Sequence, residues 1–166
     1  MSTVRNPGFL GTTPAGTWVS DDLAPILFAD IGPDDRRLAE DLQPVLSQLR
    51  PHVTAESLRA VYAEGYPQGL RFTGAYSDTT CVAVAGWRIV ATTFWTRKLT
   101  VDDLVVAVEA RSRGIGSALL AELEQRARAA DCRMIDLDSS VQRHGAHRFY
   151  ARERMPILAF HFGKEL

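Results

Sequence analysis

Cysteine is scarce in this chain. Cys81 and Cys132 are the two that its 166 residues hold, too few for a disulfide framework, so both are expected as reduced thiols in a cytoplasmic protein. No apolar run approaches the roughly 18 residues that cross a bilayer. The first residues carry one arginine and no apolar block of the kind that a secretory signal contains. An excess of charge is missing too. Nineteen Lys and Arg stand against twenty Asp and Glu, at a pI of about 6.4, which argues against a binder of nucleic acid or of polyanions in general. With 46% hydrophobic and 23% charged residues, the chain is expected to fold, and its length predicts one domain.

Residues 1–22 are rich in Gly, Pro, Ser and Thr without a period of either kind. They read as a loose extension ahead of a single domain over 23–166. Leu23–Ile31 (LAPILFADI) reads as a strand stopped at Gly32-Pro33. Leu38, Leu42, Val45, Leu46 and Leu49 keep helical spacing, and Pro44 is expected to kink or split that element. Thr54 suits the N-cap of a second helix ending near Glu64. From Leu70 to Val108 the period changes to that of three antiparallel-looking strands: Arg71–Tyr76, Cys81–Ala85 followed by Trp87–Trp95, and Lys98–Val108. Gly114–Ala130 returns to helix, with Leu119, Leu120, Leu123 and Ala127 on one side and Glu122/Arg126 and Glu124/Arg128 paired at i,i+4 on the other. A short strand (Met134–Asp138), a short helix (Gly145–Arg154) and a last strand (Ile157–Phe162) complete an α/β domain. Its sheet is mixed and mostly antiparallel, with helices on both faces.

The segment with chemical content is Arg111-Ser112-Arg113-Gly114-Ile115-Gly116-Ser117, between a strand and a strong helix. Two glycines one residue apart let backbone approach a ligand closely. The unpaired amides of a helix's first turn, at the positive end of its dipole, suit a phosphate. A Walker A loop is excluded because no Gly-Lys-Ser/Thr follows, and the dinucleotide fingerprint lacks its third glycine. A G-x-G loop alone is also what a plain tight turn looks like.

Arg-x-x-Gly-x-Gly after Leu104-Val105-Val106, followed by Ser117-Ala-Leu-Leu and a helix, resembles the acetyl-CoA motif of the GNAT superfamily of N-acetyltransferases. Leu137-Asp138 followed by Ala146-His147-Arg148-Phe149-Tyr150 is similar to the next strand and helix of that family. The resemblance is specific from about Leu99 to Tyr150. It implies a sheet splayed after Val106 at a cofactor cleft. Leu104, Val105 and Val106 would pair with the pantetheine arm of acetyl-CoA, and an amide there would face the thioester carbonyl. Ser112 to Ser117 would hold the pyrophosphate, Arg111 and Arg113 adding positive charge at the rim. Tyr150 falls at the place of the general acid for the leaving thiolate, and Asp138 at that of a general base. The chain departs from the family in three places: Arg143 replaces an Asn that lines the cofactor, Val108 replaces a frequent Pro, and Arg154-Met155 replaces Gly-Phe.

Acetyl transfer to an amine needs a neutral nucleophile, a proton acceptor and a donor for the departing thiolate. Backbone donors aimed at the thioester oxygen are worth about 3 kcal/mol each. No covalent enzyme intermediate is required, so neither cysteine is assigned as a nucleophile, and no metal is implied. Each residue has a plainer alternative. Tyr150 can be an amphipathic core residue, and Asp138 can cap a loop or pair with an arginine. Asp102 and Asp103, sent to opposite faces by alternation, can serve as the base or stand as a solvated pair. His144 and His147 lie three apart without a third ligand nearby and read as structural or substrate-side groups. Trp87, Phe94 and Trp95 read as core or hairpin packing. The expected activity is transfer of acetyl from acetyl-CoA to a primary amine of a small molecule. The alternative is a catalytically silent acyl-CoA-binding module. Asp102, Asp103, Asp136 and Asp138 favour a cationic acceptor, whereas Arg143, His144, His147 and Arg148 favour an anionic group on it. Together they favour a zwitterionic amine. Neither nucleic acid nor membrane is an expected partner, and a homodimer is compatible with all of this.

Overall fold

Segments dense in β-branched and aromatic residues form the middle of one sheet: β3 (Arg71–Ser77), β4 (Thr80–Thr92) and β5 (Thr96–Val106). The computed structural model describes residues 17–20 and 23–166. β1 (Thr17–Ser20) and β2 (Leu23–Ile31) extend the sheet on one side, and β6 (Met134–Leu137) pairs parallel to β5 on the other. The strand order is β1-β2-β3-β4-β5-β6, and every pairing except β5–β6 is antiparallel.

Helices cover both faces. A π-helical turn (Leu38–Leu42) runs into α1 (Gln43–Leu46), and α2 (Ala55–Gly65) follows. The helical backbone is not split at Pro44; it runs on through Leu42 and Gln43, and the hydrogen bonding changes from π to α just before the proline. The proline sits in the first turn of α1, where a missing N–H leaves no helical bond unmade. Thr54 caps α2 in a reciprocal box with Ser57. α3 (Ile115–Ala129) lies on the other face, and α4 (His144–Arg152) follows β6. Alternation along β3 separates the two layers. The Phe72 ring meets Tyr62 of α2 edge-on at 4.9 Å. Its neighbour Thr73 accepts a hydrogen bond from Trp87 Nε1 at 3.0 Å, and the guanidinium of Arg126 on α3 lies 5.6 Å from the Trp87 ring. Leu119, Leu120, Leu123 and Ala127 of α3 are buried, as their spacing predicts.

Among the described residues Thr73 is the one buried side chain classed as polar, and its hydroxyl is satisfied twice. It accepts from Trp87 and donates to Asp30 Oδ1 at 2.8 Å. Thr73→Val keeps the shape and strands the indole N–H. A buried donor left without an acceptor costs about 1–3 kcal/mol, so urea unfolding is expected to show a lower midpoint at an unchanged m-value.

Four other expectations are corrected. Thr17–Ser20 is not a loose extension but a strand on β2, because Thr-Trp-Val-Ser suits the open edge it meets; residues 1–16, 21 and 22 lie outside the described residues. The strand through Cys81–Ala85 and Trp87–Trp95 ends at Thr92, not Trp95, because Phe94 and Trp95 lie in the hairpin turn. Gly86 continues β4, leaving room for Phe72, whose ring carbon would stand 2.8 Å from a Cβ there. Asp102 and Asp103 do not alternate simply: the register passes from Trp87↔Val101 to Gly86↔Asp103, leaving Asp102 as an extra residue in a bulge. Ile157–Phe162 is not a strand but exposed irregular chain.

Candidate active site

The site begins where β6 ends. β5 and β6 pair from Lys98↔Met134 to Val101↔Leu137 and no further. β5 continues to Val106, still bonded along its other edge to β4 as far as Ala83↔Val106. The sheet therefore opens after Val101, earlier than the expected position after Val106, and one edge of residues 102–106 has no strand partner among the described residues. That edge borders a cleft of about 820 Å³, lined by Leu104, Val105 and Val106 and closed across the gap by Ala146, Phe149 and Tyr150.

The chain leaves β5 through a 3-10 turn (Val108–Ala110) and enters a cradle of backbone. Ser112 and Gly114 both take positive φ, 62° and 79°. The second is the N-cap of α3 and supplies no side-chain cap. The first intrahelical bond of α3 runs from Ala118 N to Gly114 O at 3.0 Å, so the amides of Ile115, Gly116 and Ser117 have no partner within the helix. Alternating left-handed residues turn successive amides toward one point, and the helix dipole adds positive potential there. Ser112, Gly114, Ile115, Gly116 and Ser117 all line the cleft. Arg111 does too, its Nε donating to the Val106 carbonyl at 3.2 Å. Arg113 is exposed and does not line it.

α4 brings the opposite wall. Arg143, at its N-cap, donates to the Leu49 carbonyl at 3.3 Å, and Gln48 Oε1 accepts from Val108 N at 2.9 Å. Ser117 Oγ donates to Glu153 Oε1 at 2.5 Å, tying α3 to the end of α4. Tyr150 is half-buried on this wall. Burial raises its phenol above the ordinary value, against an opposing pull from the Arg143 charge. The hydroxyl makes no hydrogen bond to another described residue.

The acids are placed otherwise. Asp138 follows β6, with its side chain 72% exposed and Oδ2 3.2 Å from His161 Nδ1. It does not line the cleft, so the structure does not gather Asp138 and Tyr150 there. Asp102 pairs with Arg88 at 2.7 Å, Asp103 with Arg50 at 2.9 Å and Asp136 with Lys98 at 2.5 Å. The negative charge read from these positions is thus cancelled at three of the four, Asp102, Asp103 and Asp136. No acidic side chain lines the cleft among the described residues, whereas Arg111, Arg143 and Arg152 do.

His144 and His147 stack edge to face at 6.1 Å, and His147 Nε2 lies 3.0 Å from the Ser140 carbonyl. No group of three metal-ligating side chains gathers among the described residues. Cys81 is buried, which pushes its thiol up to about 12. Trp87 belongs to the core, while Phe94 is exposed against Trp95 at the tip of the β4–β5 hairpin. Gln48, Leu49, Phe149 and Arg152 line the cleft without having been singled out from the sequence. Phe149 and Arg152 follow from the turn of α4 that carries Tyr150. Gln48 and Leu49 lie far away in the chain and carry no local signal.

The sequence pattern of the Acetyltransferase (GNAT) family matches residues 36–154. The chain is similar to the aminoalkylphosphonate N-acetyltransferase of Salmonella typhimurium, 41% identical over 66 residues, which make up 40% of this chain and 43% of that protein. The chain thus matches less than half the length of that relative. It is also similar to an uncharacterized N-acetyltransferase of Bacillus subtilis, YhdJ, 31% identical over 108 residues that cover 64% of this chain and 76% of that one. Among solved structures, it shares its fold with the aminoglycoside N-acetyltransferase AAC(6')-Iy in complex with CoA, at a TM-score of 0.75 and 14% identity over 93% of this chain and 99% of that one. A ribosomal-protein-alanine N-acetyltransferase of Brucella melitensis has the same fold, at a TM-score of 0.72 and 15% identity over 85% and 99%.

Proposed function

This chain belongs to the acetyltransferase (GNAT) family, and on that premise we propose that it moves an acetyl group from acetyl-CoA directly to the primary amine of a small molecule. One domain over 23–166 carries the activity. The observation behind this reading is the unpaired edge of β5 leading straight into the uncapped first turn of α3. Leu104, Val105 and Val106 offer backbone donors and acceptors to the amides of a pantetheine arm. The amides of Ser112 to Ser117 then meet a pyrophosphate, with Arg111 beside them and Arg113 adding charge from the rim. A backbone N–H on the open edge stabilises charge on the thioester oxygen. Tyr150, kept protonated by its burial, donates to the departing sulfur.

The acceptor's ammonium proton passes to water in the open cleft. Asp138 draws no support as base from its exposed position, and Asp102 and Asp103 are engaged by arginines. Asp138→Asn is therefore expected to retain an acidic limb in the pH–rate profile and to lose far less than the roughly 10²–10⁴-fold that a general base supplies. A displaced limb with a loss of that size would restore Asp138 to the mechanism.

Charge at the cleft favours an acceptor that carries an anionic group besides its amine. Arg143 and Arg152 have no acidic neighbour among the lining residues. The Salmonella relative, by its name, acts on aminoalkylphosphonates, which combine both charges. Cytoplasmic placement belongs to the same reading and rests on the two free thiols; no helix among the described residues is long and apolar enough to cross a membrane. The test is thiol release from acetyl-CoA by the purified chain over a panel of aminoalkylphosphonates, amino acids, polyamines and arylamines. Amine-dependent release, strongest with zwitterions, is expected. Tight CoA binding without such release would point instead to a silent acyl-CoA-binding module, and a preference for arylamines would overturn the charge argument.

A further inference from the structure

Glu153 stands where the end of α4 meets the cradle. Its own N–H closes the last turn of α4 by donating to Phe149 O at 3.0 Å, and Arg154 after it takes a left-handed φ of 61°. Phe149, one turn earlier, packs on the first turn of α3, its ring 3.4 Å from where a Cβ on Gly116 would stand. The Glu153 side chain is thereby carried to Ser117, the third residue of α3, whose hydroxyl donates to Oε1 at 2.5 Å.

The charge of this contact matters more than its length. The first turn of α3 has no acidic residue of its own, and Gly114 offers it no side-chain cap. Glu153 supplies an anion there from another helix, and an anion is favoured at the positive end of a helix dipole. Asp102, Asp103 and Asp136 are each neutralised by an arginine or a lysine. Glu153 has no cation at ion-pair distance among the described residues. Its carboxylate is half-buried and does not line the cleft, so it acts on α3 from just behind the wall, where water screens it weakly.

A pyrophosphate on the amides of Ser112 to Ser117 would draw on the same field. Ser117 has one hydroxyl proton to give, and a phosphate oxygen that takes it must take it from Glu153. Two like charges then share one helix end, which weakens the hold on the second. We propose that Glu153 sets the affinity for CoA, as a carboxylate of the chain's own that competes with the phosphates for the start of α3. This rests on the reading that these amides hold the pyrophosphate. Acetyl-CoA and CoA carry the same phosphates, so Glu153 loosens substrate and product alike, and the loosened product leaves more readily after each transfer.

The test is calorimetric titration of the full-length protein with CoA and, in parallel, with pantetheine, which has no phosphate. Glu153→Gln keeps an oxygen for the Ser117 hydroxyl and removes the charge. At low salt it is expected to bind CoA about 3- to 10-fold more tightly than the wild type, the effect of one unit charge acting over several ångströms near a protein surface. The gain should shrink at high salt, be absent with pantetheine and be largely absent in Glu153→Asp, which keeps the charge. Glu153→Ala also removes the charge and should bind CoA at least as tightly as the wild type. Without ligand, Glu153→Gln should melt slightly lower, because the helix end has lost its anion. Equal or weaker CoA binding by Glu153→Gln, with CoA still outbinding pantetheine in the wild type, overturns the proposal alone. An equal gain for pantetheine does so too, since it would mean a general change in the cleft. Wild-type binding of CoA no tighter than of pantetheine would overturn the pyrophosphate reading, and the proposal with it.

Discussion

Tyr150→Phe is expected to lower kcat for amine acetylation by roughly 10²-fold or more, the range that a positioned general acid supplies. The affinity for acetyl-CoA and the melting temperature should change little. The chain contains four tyrosines, and the structure separates them by what their hydroxyls do. Tyr62 donates to the buried Ile31 carbonyl at 2.7 Å, and Tyr76 donates to Asp41 at 2.9 Å. Tyr66 stacks on Tyr62 and under Arg71. Tyr150 alone lines the cleft, with its hydroxyl unbonded to the described protein and available to a ligand. Removing it strands no buried partner, so stability has nothing to lose. Tyr62→Phe is the matched control: it leaves a buried carbonyl short of a donor, which costs about 1–3 kcal/mol, and it should not touch kcat. The pH dependence has a definite sign. The acid form of Tyr150 is the active one and burial raises its pKa, so activity falls only as pH rises through a value above the ordinary phenol pKa of about 10. Steady-state and single-turnover kinetics check this. An unchanged kcat with chemistry rate-limiting would remove Tyr150 from the mechanism.

Gly114→Val should raise the KM for acetyl-CoA by about 10- to 100-fold, since each tenfold corresponds to about 1.4 kcal/mol. Gly114 sits at φ 79°, where an L-residue pays roughly 1–2 kcal/mol and a branched one more. A valine relieves the clash by turning the peptide. The Gly114 carbonyl begins α3 and the amides after it form the anion cradle, so the turn moves the groups assigned to the pyrophosphate. The same strain should lower Tm by only about 2–4 °C per kcal/mol in a domain of this size. Gly116→Ala is the contrast. A Cβ there would meet Phe149 at 3.4 Å, ordinary contact, on a residue already helical, and a much smaller change in KM is expected. Calorimetric titration with CoA separates the two effects. A fall in Tm with unchanged CoA affinity for Gly114→Val would mean that these amides do not hold the phosphates.

What the sequence by itself determined is what neighbours in the chain decide. The cradle at 111–117, the buried stripe of α3 and the cap at Thr54 each depend on residues within one or two turns, where backbone sterics and local hydrogen bonding leave few choices. The assignment of Tyr150 to the same site came from the family resemblance of the 146–150 segment, and α4 sets the residue on the cleft wall. Tertiary structure decided the rest. Asp102, Asp103 and Asp136 look like a reservoir of negative charge until Arg88, Arg50 and Lys98 fold onto them, and a bulge at Asp102 breaks the alternation that would have parted the first two. Gln48 and Leu49 join the cleft because α1 packs against β5, a contact without any local signature. Ile157–Phe162 shows the same limit from the other side: a strand-forming sequence stays irregular because a strand exists only where a second backbone supplies its hydrogen bonds, and that partner is never written in the segment itself.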